Sequence, residues 1–124
     1  SSFIERAMAI KAIPDTIELY TGDGIARMVV PSTLDGLKLN SIGAHVFTAG
    51  SSGNNTIMLY NETKSVDILT TGVIIEVSET DSSTSGTPAL ISANNKVNTA
   101  DVLRIDVDTK STGAKGLEVR MTFK

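Results

Sequence analysis

Residues 102–123 read VLRIDVDTKSTGAKGLEVRMTF. Leu103, Ile105 and Val107 alternate with Arg104, Asp106 and Asp108, and Leu117, Val119, Met121 and Phe123 alternate with Glu118, Arg120 and Thr122. Period-2 alternation of this length marks strands with one buried face. The intervening Thr109 to Gly116 is rich in Ser, Thr, Gly and Lys, so the two runs are expected to pair as a hairpin. The seven apolar side chains would then share one face that a second layer must cover.

The upstream sequence supplies candidates for that layer. Thr16–Thr21 is a first strand, Gly22-Asp23-Gly24 a tight turn and Ile25–Val30 a second strand ended by Pro31. Leu37–Thr48 is the longest strand candidate, followed by the turn-forming loop Ala49–Asn55 and the short strand Thr56–Tyr60. Val66–Leu69 and Gly72–Ser78 are further strand pieces. Glu79–Thr87 (ETDSSTSGT) is the most polar stretch and is expected on a solvent-facing rim. Pro88–Ser92 reads as an edge strand, because proline cannot donate to a central ladder. About seven or eight strands with turn signals every eight to twelve residues predict an all-β, antiparallel β-sandwich, with a barrel as the other closed solution.

The N-terminus reads differently. Ser2 followed by Glu5 has the pattern of a capping box, and Phe3, Ile4, Ala7 and Met8 fall at helical spacing before Pro14. Phe3, Ile4, Met8, Ile10 and Ile13 are large apolar side chains in a segment too short to form its own core. Burying each contributes roughly 1.5–3 kcal/mol. Ordering about a dozen backbone positions costs roughly 1–2 kcal/mol each. The sums are comparable, so a second surface decides the outcome. Residues 1–13 are therefore expected to be an arm, packed on its own domain or on a neighbouring chain. The second is the prediction: an arm ordered by contact with another chain, ahead of a sandwich domain at 14–124.

Composition narrows the chemistry. A chain of 124 residues fits one domain with a real core. No cysteine is present, which removes disulfides and thiolate metal sites, and one histidine cannot build a multi-histidine centre. Trp is absent, with two Tyr and three Phe, which disfavours sugar or base stacking. A formal charge of −3 gives no basic field for nucleic acid or an anionic membrane. Glu5, Arg6 and Lys11 interrupt any signal-peptide core, and no apolar run approaches a membrane span. No nucleic-acid or membrane partner is expected.

Candidate chemical motifs each have a plainer explanation. Asp106 and Asp108, near Asp101, suggest calcium, but Asp-x-Asp on a strand places both carboxylates on one solvent face with Arg104, and Arg120 is expected across the hairpin. A cross-strand charge ladder accounts for them. Gly22-Asp23-Gly24 and Gly113–Gly116 precede no helix, so they lack the amides and dipole of a phosphate cradle. Glu76, Glu79 and Asp81 have no apolar cleft to raise a glycosidase acid. His45 has no evident nucleophile. The chain is predicted not to be an enzyme, with no cofactor, metal or catalytic residue.

The strings IELYTGDGIARMVVPSTLDGLKLNSIGAHVFTAGSSGNN, VDIL, Thr87-Pro88-Ala89, ADVLRIDVD and AKGLEV, with the motifs Y-T-G-x-G, T-A-G-x-x-G and L-R-I-D-V-D, resemble small virion structural proteins of tailed bacteriophages. The resemblance covers roughly residues 16–124. It implies a jelly-roll-like β-sandwich of the kind found in capsid decoration proteins and fibre domains, made in the host bacterial cytoplasm and residing in the virion. It implies a homo-oligomer, a trimer for preference, bound to the major capsid protein or another virion protein. The family brings no catalytic residues. The small size favours capsid decoration. The alternative is a tail or head fibre adhesion module binding a host receptor or carbohydrate. Its rim contacts would come from Ser51, Ser52 and Asn54 in one loop and Asp81 and Ser83 in the other.

Overall fold

The computed structural model describes residues 5–124. Ten strands carry the fold: β1 (Arg6–Glu18), β2 (Gly22–Val29), β3 (Leu39–His45), β4 (Asn55–Asn61), β5 (Val66–Asp67), β6 (Leu69–Thr71), β7 (Val73–Ile75), β8 (Leu90–Ile91), β9 (Val102–Thr109) and β10 (Lys115–Phe123). Single 3-10 turns occur at Ser32–Leu34 and Ser82–Thr84. One sheet has the order β1-β10-β3 and the other β2-β9-β4-β5, with β7 also on β4; β6 and β8 form a small ribbon. All pairs are antiparallel. The architecture is the expected antiparallel β-sandwich.

The topology corrects two expected hairpins. β9 and β10 are not partners: β9 lies between β2 and β4, and β10 between β1 and β3. Residues 110–114 carry the chain from one sheet to the other. Leu103, Ile105, Val107, Leu117, Val119, Met121 and Phe123 are all buried, but in two facing sheets and not on one shared face. Alternation fixes which side chains point inward and leaves the hydrogen-bonding neighbour open. The same holds at Gly22-Asp23-Gly24: β1 and β2 belong to opposite sheets, and the chain crosses at Leu19–Thr21 with Leu19 buried. The connections β2–β3 and β3–β4 also change sheets, which gives the jelly-roll-like weave.

The N-terminal segment is a strand, not a helix, from Arg6 onward. β1 pairs with β10 in unbroken register from Arg6↔Phe123 to Lys11↔Glu118, then bulges on either side of Ile13. The expected boundary at 13/14 therefore falls inside β1, and Pro14 sits in the bulge where ladder bonds are interrupted. Ile13 is 1% exposed and belongs to the core, whereas Met8 and Ile10 are half-buried at its margin. Phe3, Ile4 and Ser2 lie outside the described residues. Gly116, at φ +73°, faces the bulge: a Cβ there would lie 2.9 Å from the Asp15 Cα.

Candidate functional site

The clearest concentration of polar chemistry is Asp81, on the loop that follows β7. Its Oδ1 accepts from the Ser83 amide at 2.9 Å, which starts the 3-10 turn Ser82–Thr84. The same carboxylate takes both terminal nitrogens of Arg120 of β10, Nη1 on Oδ2 at 2.9 Å and Nη2 on Oδ1 at 2.8 Å. His45 Nδ1 lies 2.9 Å from Oδ2. The Arg120 guanidinium holds the Asp81 carboxyl well below the usual carboxylate range; the Ser83 amide and His45 add to this against partial burial.

Arg120 reaches Asp81 by crossing β3 at Gly43, its register partner. A Cβ at Gly43 would stand 2.7 Å from Nη2 and 2.8 Å from Cζ, so only glycine leaves the guanidinium its path. Two further bonds tie the loop to β3: Val46 N donates to Thr80 O at 2.8 Å, and Ala44 N donates to Ser82 Oγ at 3.0 Å. The loop thus covers the outer edge of β3, which would otherwise be open. Glu79–Thr87, the stretch expected on a solvent-facing rim, is an organised strap anchored at Asp81.

A cleft of about 370 Å³ lies beneath the strap, lined by Asn40, Ser82, Ser85, Thr87, Pro88 and Arg120 among others. It offers hydroxyls and a guanidinium already neutralised by Asp81. His45 and Asp81 are two members of a nucleophile triad, but no serine or threonine hydroxyl hydrogen-bonds His45 among the described residues. Asp81 is also shared with Arg120, which fixes it as an anchor for the loop.

The predicted rim residues divide into two places. Ser51, Ser52 and Asn54 are exposed on one loop that is laced to the β9–β10 connection: Ser51 N donates to Thr112 O at 2.9 Å and Thr112 N to Ser52 O at 2.8 Å. Asn54 Oδ1 accepts from Val77 N at 3.0 Å. Asp81 and Ser83 instead run along the β3 edge to Arg120. The two loops touch where they begin, where Ser78 N donates to Gly50 O at 3.0 Å.

The expected charge ladder on the last two strands does not form. Asp106 is 5% exposed and accepts from Gly24 N at 2.9 Å and from Arg104 Nε and Nη2 at 2.8 and 2.9 Å. Arg104 lies over the Tyr60 ring, 4.5 Å from its centroid. Asp108, two residues on, is exposed and lacks such partners; desolvation, then the nearby charges of Asp106, Asp23 and Asp67, push its carboxyl up. Asp101 is also buried, accepting from Asn61 Nδ2 and Asn98 N, each at 3.0 Å. Arg104 and Arg120 are in different sheets, so they cannot belong to one ladder.

No family model matches this chain. No curated protein matches it either. Among solved structures, that of the infectious bursal disease virus Gx strain is 15% identical over 98% of this chain and 32% of the other, with a TM-score of 0.45. The VP2 subviral particle of infectious bursal disease virus is 13% identical over 99% of this chain and 41% of the other, with a TM-score of 0.33. The chain spans about a third of the first of these and about two-fifths of the second.

Proposed function

We propose that this chain is a non-enzymatic structural protein of a virion, a capsid decoration protein that binds the outer surface of the shell. The observation that carries the structural part is the use of its polar groups. Asp81, Asp101 and Asp106 each take several donors from their own chain and hold loops or strands in place. In each case the acceptor capacity of the carboxylate is taken up by donors that hold the chain's own loops and strands together. The virion part rests on the sequence resemblance to small phage structural proteins. The hydrogen-bonded lacing of its loops supports it, because a surface that binds a lattice gains from being pre-organised.

The test is addition of purified protein to shells prepared without it. Saturable binding to the shell at a regular ratio is expected. Binding to host cells or isolated surface glycans, with none to shells, would favour the adhesion module and overturn decoration.

A further inference from the structure

The two sides of the sandwich are finished differently. On one side the β3 edge is covered by the Asp81 strap, and the β4 edge by β5 and β7. On the other side, among the described residues, β1 and β2 each have one partner, so both sheets end there in an unpaired edge, and the two strands lie near each other. Met8 and Ile10 point toward the core from β1 and are only half-covered.

β1 itself is protected over only part of its length. From Lys11 onward it carries a lysine, a proline and bulges, the devices that blunt a sheet edge. Arg6–Ile10 has none of these beyond its first residue. It is a regular stretch with Ala7 and Ala9 on the outer face and Met8 and Ile10 on the inner.

From this we infer that the Glu5–Lys11 edge of β1 is a self-association surface, pairing antiparallel with the same edge of a second copy about a twofold axis at Met8. The charges choose the register. With Met8 opposite Met8 of the other copy, Ala7 faces Ala9, Arg6 faces Ile10 and Glu5 faces Lys11. Two identical Glu5–Lys11 pairs form, one at each end. Glu5 is exposed and held only by a 3.4 Å contact from Asn40 among the described residues. Among the described residues Lys11 makes one side-chain hydrogen bond, to Asp15 at 2.5 Å, and stands opposite Glu118 of β10, with two ammonium protons to spare. On the inner face, the half-covered Met8 side chains of the two copies meet directly, and each Ile10 lies diagonal to the other copy's Met8, which adds cover to both. The small Ala7 and Ala9 let the outer faces join without obstruction. The result is a six-stranded sheet, β3-β10-β1 continued into its symmetry mate, by an isologous contact. This goes beyond the virion proposal and does not depend on it.

The test uses the full chain in sedimentation velocity over a concentration series. A reversible dimer is expected. E5K and K11E should each weaken it roughly tenfold, because two attractive cross-strand pairs become repulsive. The E5K/K11E double variant should recover the wild-type affinity, since it restores the pairs with their signs exchanged. Thermal midpoints check that all three fold. M8C provides an independent reading, since the chain has no other cysteine. Opposed strand residues lie within disulfide reach, so M8C should cross-link to a dimer on mild oxidation faster than I10C. A monomer at every concentration, an oligomer indifferent to the charge swaps, or M8C cross-linking no faster than I10C overturns the inference.

Discussion

Asp81 and Arg120 are 39 residues apart in sequence and meet through two parallel nitrogen–oxygen contacts, at 2.8 and 2.9 Å. That pairing closes a strap over the edge of β3. Asp81→Asn should destabilise the fold by about 1–2 kcal/mol at neutral pH, a value held down by the exposure of Arg120. The pH dependence follows from the depressed Asp81 carboxyl. Its contribution is present above the unfolded carboxylate range and is lost as pH falls below about 4. Denaturant titrations at neutral and acid pH check this: the gap between wild type and D81N should narrow in acid.

Gly43→Ala probes the path of the guanidinium. A Cβ there displaces Arg120, while alanine in a strand is otherwise favoured over glycine by roughly 0.5–1 kcal/mol. In wild type the two effects oppose each other. In an Arg120→Ala background only the gain remains, so G43A should stabilise that variant. A double-mutant cycle reads the difference; equal effects of G43A in both backgrounds would show that Arg120 does not need the gap.

Asp106 and Asp108 are two residues apart and should respond with opposite signs. Asp106→Ala removes the buried carboxylate that holds Arg104 and Gly24 N, leaving the half-buried guanidinium only Asp23 at 3.6 Å and the Tyr60 ring, and should destabilise by about 1–3 kcal/mol. Asp108→Asn removes a carboxylate that its surroundings disfavour, and should stabilise by under about 0.5 kcal/mol at neutral pH. Because the Asp108 carboxyl is raised in the folded state, that gain should shrink as pH falls and the wild-type carboxylate takes up its proton. Chemical denaturation of the two variants side by side distinguishes these signs.

Phe123 is fully buried at the end of β10, paired with Arg6 of β1 and Leu39 of β3. Phe123→Ala should destabilise by about 3–5 kcal/mol. A loss under about 1 kcal/mol would mean that the central strand of its sheet does not depend on this side chain.

The strands were legible because alternation is a local property. Leu103 to Val107 and Leu117 to Phe123 announce their buried faces residue by residue. Their pairing was not legible, since an inward-facing side chain looks the same whether its neighbour in sequence lies beside it or across the core. β1 was obscured by its alanines: Ala7 and Met8 fit a helical stripe, whereas Met8 and Ile10 set against Ala7, Ala9 and Lys11 fit a strand. The Asp81 anchor left no signal at all. Its partners His45 and Arg120 lie 36 and 39 residues away, and the need for glycine at 43 appears only once Arg120 is seen crossing it.

The proposal of capsid decoration is tested most directly by counting copies of this chain in purified particles by quantitative mass spectrometry against the shell protein. Many copies in a fixed ratio to the shell protein are expected. A handful per particle, or none, would contradict it.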